Sequence, residues 1–363
     1  MKLRATASAI VLGMLAAACS QGGNPASPGA TTPTTPPTTG GGGGTPTPTP
    51  TPGASCPSGF TAGTPIGSVT TCTLSGTLLG TTTLTDDAGI VYRLNGRVDV
   101  GVDTGADGTA AGGSAASLGI APGVTIVGAT GQDFLVGNRG STLIADGQAS
   151  APITFTSSND IERQNDSDAS NDLGENFDGE WGGIVILGSA PQNRCLVSGA
   201  TPGTDACEQD IEGVSSPAAR YGGDDADDNS GIIRYVLVKH AGFELTLDNE
   251  LNGIAFGGVG DATTVEYVQV YNNADDGVEF FGGTVNAKYL VLNGNNDESI
   301  DTDNGYTGAI QYVVVEQTAG RGDNITEQSS VANSSLPSNP KIANFTFVGT
   351  DGDEVFKSNS GSI

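Results

Sequence analysis

A recurring pattern of apolar and polar positions in the C-terminal third predicts a stack of similar strands. In each copy an aromatic residue follows a polar one, and the residues two before, one after and three after the aromatic are almost always apolar. Strict alternation is typical of a straight strand, so its failure at the aromatic indicates a bend there. The copies are Ile233–Val238, Val265–Val270, Ala287–Leu292, Ile310–Val315 and Ala343–Val348.

A second, shorter strand follows each copy, and successive aromatics are 32, 22, 23 and 33 residues apart. A unit of this size cannot bury its own apolar face and must stack on its neighbours. We therefore predict an all-β fold, a single-stranded right-handed parallel β-helix over residues 55–363, with an insertion at about 157–231. The second strands are Gly253–Phe256, Gly277–Phe280, Ser299–Thr302, Asn324–Glu327 and Glu354–Phe356.

Stacked coils would place equivalent side chains above one another at a spacing of ~4.8 Å. Aligning the second strands on Ile254, Val278, Ile300 and Ile325 predicts a column of asparagines, Asn249, Asn273 and Asn295, whose amides hydrogen-bond along the stack. Residues 118–156 predict further short strands. A jelly roll or sandwich is the alternative for those strands, but neither explains the later register.

The N-terminus predicts export and lipidation. Lys2 and Arg4 precede an apolar stretch over residues 9–15, and small residues precede Cys19, which is typical of a lipoprotein signal peptide over residues 1–18. The alternative is an ordinary cleavage site with a chance cysteine. Residues 19–54 would then be the lipidated Cys19 and a disordered tether rich in Gly, Pro and Thr. We expect a membrane anchor through the lipid, in the cell envelope, at the outer membrane or cell surface.

The remaining four cysteines are an even number in an exported chain, which favours two disulfides. The short loops make Cys56 with Cys72, and Cys195 with Cys207, the natural pairs, although the other connectivities remain open. A metal site is the competing interpretation. The absence of Cys-x-x-Cys spacing and of nearby histidines argues against it.

The charge balance favours cationic partners. The chain has 14 basic and 41 acidic residues and a formal net charge of −27. Removing Lys2 and Arg4 with the signal peptide would take −27 to −29. Nucleic acid and anionic lipid are therefore poor partners, while cations are good ones.

The most informative polar feature is a set of aligned acidic positions. Asn252, Asp276, Glu298, Asp323 and Asp353 share one predicted column; Asp275 with Asp297, and Glu279 with Asp301, form shorter ones. Carboxylates ~4.8 Å apart repel by about 1 kcal/mol in water and by more at lower dielectric, so protons, basic side chains or a hard cation must compensate. Our hypothesis is a Ca²⁺ ion bound by Asp275, Asp276, Asp297, Glu298 and Asp301. The alternative is solvated turn carboxylates without an ion.

Other candidate chemistry is weaker. Asp225-x-Asp227-x-Asn229 and the Asp166–Asp172 segment have loop-ligand spacing but lack the EF-hand's glycine and distal Glu. The chain has a single histidine, His240, and this excludes a multi-histidine metal site. A structural role for His240 is favoured over a role as a general base. Trp181 is better explained by packing than by stacking on a sugar.

Several segments together resemble a family of bacterial surface-exposed parallel β-helix lipoproteins of uncharacterised function. They include LGIAPGVTIVG, STLIADGQASAPITFTS, WGGIVILGSAP, RYGGDDADDNSGIIRYVLVKHAG and LNGIAFGGVG, and the resemblance covers about residues 70–363. It implies a β-helix at the cell surface and brings no catalytic residues.

The predicted function is a non-enzymatic β-helical module of the outer membrane or cell surface that binds glycan, a surface protein or Ca²⁺, or that has a purely structural role. The alternative is a carbohydrate-active hydrolase or lyase that uses the acidic turns, since β-helical glycosidases need two or three carboxylates across a groove. Asp275-Asp276-Gly277 is similar to the paired aspartates of polygalacturonases, but their Gly-His-Gly and Arg-Ile-Lys motifs are absent. Turn carboxylates explain the same residues without catalysis.

Overall fold

The computed structural model describes residues 54–363, except residues 173, 175–176, 216–217, 247–248, 350–353, 360 and 362–363. The predicted signal peptide, Cys19 and all but the last residue of the predicted tether lie outside the described residues. The described part forms one compact unit, built almost wholly from strands. Its one described helix, α1 (Ser158–Asn165), is too short to cross a membrane.

The described residues form twenty-four strands, which follow one another in sequence. They are β1 (Thr61–Ala62), β2 (Thr70–Leu78), β3 (Gly80–Leu84), β4 (Ile90–Val100), β5 (Ala116–Ile120), β6 (Thr125–Gly128), β7 (Phe134–Gly137), β8 (Thr142–Asp146), β9 (Ile153–Ser157), β10 (Gly183–Leu187), β11 (Gln209–Ser215), β12 (Ala218–Tyr221), β13 (Gly231–Lys239), β14 (Glu244–Thr246), β15 (Asn249–Glu250), β16 (Ile254–Gly257), β17 (Thr264–Tyr271), β18 (Val278–Phe281), β19 (Asn286–Asn293), β20 (Ile300–Asp303), β21 (Ala309–Glu316), β22 (Asn324–Gln328), β23 (Lys341–Val348) and β24 (Glu354–Ser358).

Parallel pairing between coils builds three faces of a solenoid. The first face contains β3, β5, β8 and the first halves of β13, β17, β19, β21 and β23. The second contains the first halves of β2 and β4, then β6, β9 and the second halves of the same long strands. The third contains the ends of β2 and β4, then β7, β10, β16, β18, β20, β22 and β24. The predicted parallel β-helix is confirmed.

A column of stacked tyrosines forms the corner between the first and second faces. Tyr235, Tyr267, Tyr289 and Tyr312 have φ between +49° and +62°, and their successive ring centroids are 4.5, 4.5 and 5.0 Å apart. A left-handed residue turns the strand, so two consecutive side chains point outward before alternation resumes. The bend that the sequence predicts at the aromatic is confirmed.

The core is a continuous apolar filling between the three faces. On the long strands the buried positions lie two before, one after and three after each tyrosine, such as Ile233, Val236 and Val238 of β13. On the third face Phe256 and Phe280 stack inside the solenoid with ring centroids 5.0 Å apart. The apolar pattern therefore identifies the inward positions correctly.

Backbone pairing corrects the predicted alignment in the last two coils by one residue. Ile300 pairs with Thr326, and Val313 pairs with Phe345, so Asn344 occupies the tyrosine corner with φ +57°. The sequence alignment placed Ile325 and Phe345 at those positions. It was wrong there because apolar residues were matched by type, whereas a loop insertion precedes each of these strands and shifts their register.

The predicted asparagine column is correct for only two members. Asn273 and Asn295 are fully buried, and each donates from its amide within its own coil, to the Asp276 carbonyl (2.7 Å) and the Ser299 hydroxyl (3.5 Å). Asn249 instead lies in β15, where its amide oxygen accepts from the Gly213 N–H. It leaves the column because the segment before β16 forms an antiparallel hairpin with β14.

Two hairpins and α1 decorate the solenoid. The β11–β12 hairpin packs on the outside of the third face, where Ile211 and Tyr221 join Val185, Leu187 and Phe281 in a second apolar cluster. The interval predicted as an insertion, residues 157–231, contains this hairpin and α1, but also β10, which pairs with β7 and β16 inside the stack. The chain therefore leaves the solenoid twice and contributes one strand between the two excursions.

Candidate functional site

An acidic stack lies at the start of the third-face strands and on their outward side. Carboxyl oxygens fall within 4.8 Å of one another in three overlapping groups. These are Asp275, Asp276 and Asp297; Asp276, Glu279 and Asp301; and Asp297, Glu298 and Asp323. All five residues of the predicted Ca²⁺ site belong to this stack, and the structure adds Glu279 and Asp323.

The pairing of β18 with β20 explains why these side chains meet. Val278 pairs with Ile300 and Glu279 with Asp301, so the turn residues before each strand and the outward residues within it repeat at the inter-coil spacing. The Glu298 N–H donates to the Asp276 carboxylate across this spacing (2.9 Å). The register of β18 against β20 therefore brings these carboxylates together.

The central group is buried. Asp276 and Glu279 are each 6 % exposed, while Asp301 is half-buried. Carboxyl oxygens of Asp301 and Glu279 lie within 4.8 Å of one another, so the two groups repel unless one of them carries a proton. No ion pair joins any of the three to a basic side chain in the described part of the chain. Their charge is therefore balanced by protons or by an added cation.

Burial and mutual repulsion raise the proton affinity of this stack. Desolvation, followed by the negative charges of its acidic neighbours, raises the pKa of Asp276 and of Glu279 well above the usual range. The same two causes, in the same order, raise the pKa of Asp301 to about 8 and that of Asp275 to about 7. Burial also raises the pKa of Glu298 to about 8, although Asn324 opposes the shift by donating to it.

The third group has its own cation. The Lys357 ammonium lies 2.5 Å from Glu327, 3.6 Å from Asp323 and 4.0 Å from Glu298. These contacts raise the pKa of Lys357 above its usual value and keep it charged. The Lys357 ammonium therefore compensates the negative charge at the β22–β24 end of the stack. At the Asp276 end, none of the described basic side chains does so.

An unpartnered amide oxygen accompanies the central group. Asn252 occupies the coil next to Asp276, is 3 % exposed, and donates from Nδ2 to Glu279 Oε2 (2.5 Å). Its Oδ1 is buried and has no hydrogen-bond partner in the described part of the chain. A buried acceptor without a donor is costly, so a cation or a bound water would satisfy it.

The observed register changes the predicted membership of the acidic columns. Asn324, not Asp323, follows Asn252, Asp276 and Glu298, because β22 is shifted by one residue. Asn324 Nδ2 donates to Glu298 Oε1 (2.6 Å), and Asp323 joins the column of Asp275 and Asp297. Asp353, the last predicted member, lies outside the described residues.

The arrangement suits a hard cation better than hydrolytic chemistry. Several carboxylate and amide oxygens at variable spacing match the ligands that Ca²⁺ prefers, whereas Mg²⁺ needs near-octahedral geometry. A glycosidase needs two carboxyl groups on opposite sides of an open groove, about 5 to 9.5 Å apart. Here the carboxyls lie closer together and the central ones are buried.

The remaining sequence candidates have structural contacts. Trp181 is fully buried and donates to the Lys239 carbonyl (2.7 Å), so it cannot stack on a sugar. His240 is buried, with Nδ1 2.6 Å from the Phe177 carbonyl and Nε2 3.4 Å from Asp160. In the two loops with ligand-like spacing, Asp225 accepts from the Asp227 N–H and Asp168 from the Ser170 N–H. Such contacts are typical of Asx turns.

Both favoured disulfides are confirmed. Cys56 and Cys72 are bonded with their Cα atoms 5.6 Å apart, and Cys195 and Cys207 with theirs 4.5 Å apart. The second bond closes the loop that leads into β11.

Sequence reasoning missed the surroundings of the acidic stack. The hairpin residue Glu212 interacts repulsively with Glu250 and Asp303, and Lys357 approaches from β24. Alignment of the last coils by their backbone register would have revealed one further outward column. It contains Ala255, Glu279, Asp301, Glu327 and Lys357. No sequence signal indicated that the β11–β12 hairpin covers this face.

Comparison with known proteins gives one result. Residues 80–358 match the family model described as a pectate-lyase-like β-helix domain. Neither the curated proteins nor the solved structures contain a significant match. The match spans most of the chain and agrees with the parallel pairing of its strands. The chain belongs to the family of pectate-lyase-like β-helix domains.

Proposed function

We propose that the chain is a lipid-anchored β-helical module of the cell envelope that binds Ca²⁺ in its acidic stack and presents its surface to a glycan or a protein. The ligands would come from Asp275, Asp276, Asp297, Glu298 and Asp301, to which we add Glu279. The observation that carries this proposal is the buried Asp276–Glu279–Asp301 group, which has no basic partner among the described residues and lies beside an unpartnered amide oxygen.

Calcium titration tests the metal site. Chelator-treated protein at pH 8 should release or absorb heat when CaCl₂ is added, and its melting temperature should rise because the ion binds only the folded state. Titration with MgCl₂ should give a weaker response. Absence of both heat and a change in melting temperature with CaCl₂ would refute the metal site.

Charge-removing variants separate binding from folding. Asp276→Asn and Asp301→Asn should lose most of the calcium response. In chelator they should melt at the same temperature as the wild type or higher, because each removes a repulsive carboxylate. The exposed Asp261, in the loop before β17, provides a matched control. Asp261→Asn should retain the full response.

The lipid anchor is tested separately. Cells that express the full chain should incorporate labelled palmitate into it, and Cys19→Ala should abolish both the label and fractionation with membranes. Unchanged labelling in Cys19→Ala would contradict the anchor and leave the calcium site unaffected.

The second candidate is a carbohydrate-active hydrolase or lyase. The family match favours it, whereas the burial and close spacing of the carboxyls disfavour it. A glycan array combined with a reducing-sugar assay separates the two functions. The binding module predicts retention without cleavage, and turnover that disappears in Asp276→Asn or Asp301→Asn would instead establish the enzyme.

A further inference from the structure

A cleft of about 350 Å³ opens beside the acidic stack, where the β11–β12 hairpin covers the third face. Its apolar wall includes Ile211 and Val214 of the hairpin, together with the rings of Tyr221 and Phe281, whose centroids are 6.1 Å apart. Concave sites with an apolar wall and a few polar groups are typical of small-ligand pockets. The polar groups therefore decide what the cleft accepts.

One polar group in the cleft is buried and incompletely bonded. Asn304 is 3 % exposed and donates from Nδ2 to the Tyr221 hydroxyl (2.9 Å). Its backbone is held by a hydrogen bond from the Asn193 N–H to its carbonyl, and its φ is +54°. Among the residues that the structure describes, the Asn304 Oδ1 has no hydrogen-bond partner. The cleft thus contains a fixed acceptor that lacks a donor.

The charge around the cleft is predominantly negative. Glu212 lines it, and desolvation, followed by repulsion from Glu250 and more weakly from Asp303, raises the pKa of Glu212. Asp210 also lines the cleft but is paired with Arg220 (3.2 Å). The remaining basic residue, Arg194, attracts Glu212 and Asp303 but forms no ion pair within the described part of the chain. A cationic ligand would compete with Arg194 for the same carboxylates.

We propose that this cleft binds an alkylammonium group of the kind that a lysine side chain carries. The ammonium would lie near Glu212 and reach the Asn304 Oδ1, which is buried beneath the cleft surface, by displacing the lining around it, while its alkyl chain would pack against the apolar wall. Aromatic rings beside a carboxylate favour a cation, since the ring faces carry partial negative charge. This site is separate from the proposed calcium ligands.

Two probes that differ only in charge test the site. Nα-acetyl-L-lysine amide should bind the full chain, and the amide of Nα-acetyl-L-2-aminoheptanoic acid, in which a methyl group replaces the ammonium, should not, as followed by ligand-observed NMR and calorimetry. Measurements in saturating CaCl₂ and in chelator keep the result independent of the calcium site.

Two variants give effects of opposite sign. Glu212→Gln should weaken binding of the lysine probe about two- to fivefold, because it removes an attractive charge. Arg194→Gln should strengthen binding severalfold, because it removes the competing cation. Glu244→Gln, on the neighbouring β14–β15 hairpin, is the matched control and should leave the affinity unchanged. Thermal melting verifies that each variant is folded.

Three outcomes would overturn the proposal. They are no binding of the lysine probe to the wild type, equal binding of both probes, and a reversal of the two signs. The first would mean that the cleft does not take a cation, and the second that only the apolar wall acts. The third would indicate an anionic ligand bound by Arg194.

Discussion

At the residue scale, the acidic stack is unusual because its carboxyls have a higher proton affinity in the folded protein than in the unfolded chain. The pKa of Asp301 is about 8 and that of Asp275 about 7, against about 4 for an unperturbed carboxyl. Between those values the folded state binds more protons than the unfolded state. Its stability therefore decreases as the pH rises from about 4 to about 8.

This linkage gives a pH prediction for the metal-free protein. In chelator the free energy of unfolding should be higher at pH 5 than at pH 8 by at least about 1 kcal/mol, the equivalent of one pKa unit in one group. Saturating Ca²⁺ should reduce the difference, because the ion replaces the protons. Urea denaturation at the two pH values, with and without Ca²⁺, measures both quantities.

Replacing one carboxyl provides the control for this prediction. Glu279→Gln should reduce the pH dependence in chelator, because it removes a buried titrating group that is 6 % exposed. The exposed Glu244 of the β14–β15 hairpin should not contribute, so Glu244→Gln should behave as the wild type. A metal-free protein whose stability rises between pH 5 and pH 8 would contradict the predicted sign.

At the element scale, the tyrosine corner shows how one backbone conformation organises each long strand. Left-handed geometry costs most residues about 1–2 kcal/mol, and Asn tolerates it better than β-branched residues. The corner nevertheless contains tyrosines, whose rings stack at 4.5 to 5.0 Å, and the fifth coil has Asn344 there. Ring stacking therefore offsets part of the backbone cost.

Substitutions at Tyr289 should separate these two terms. Tyr289→Asn and Tyr289→Val both lose the stacking, but Val should lower the free energy of unfolding by about 1 kcal/mol more than Asn. Chemical denaturation measures the difference.

A neighbouring outward position supplies the comparison for Tyr289. Gln311 precedes the next tyrosine in β21, and its φ is not positive. There the order should reverse, with Gln311→Val at least as stable as Gln311→Asn, because an ordinary strand favours β-branched residues. The same order at both positions would show that the left-handed corner does not control the substitution.

The register of the third face is a second element-scale property. Matching residue types aligned the third-face strands correctly from β16 to β20, and the turns before β18 and β20 have the same length, six residues each. It failed at β22 and β23, because insertions precede both strands. The hydrogen-bonded ladder determines the register there, and this difference moves Asp323 from one acidic column to the other.

At the scale of the whole molecule, the solenoid couples each coil mainly to its immediate neighbours. The β19 strand pairs with β17 on one side and with β21 on the other, and its Leu290 is 1 % exposed inside the core. Stability in such an architecture is close to a sum of terms from each repeat and its interfaces. Local damage should therefore spread to adjacent coils first.

A cavity in the middle coil tests this coupling. Leu290→Ala should lower the free energy of unfolding by about 2–5 kcal/mol. Hydrogen exchange should accelerate most in β17, β19 and β21 and least in β5–β8. Val314→Ala truncates an outward residue of β21 and should have a much smaller effect. Uniform acceleration across all strands would contradict nearest-neighbour coupling.

The sequence by itself determined the repeating coil, its inward positions and the bend at the aromatic, because these depend on residue periodicity. Short loops favoured the observed disulfide pairs but left the other connectivities open. It also identified most of the carboxylates that lie together. Only the tertiary structure decided the register of the last coils, the burial that raises the carboxyl pKa values, the approach of Lys357 and the hairpin that forms the cleft. Those properties depend on contacts between segments far apart in the chain, which no local pattern encodes.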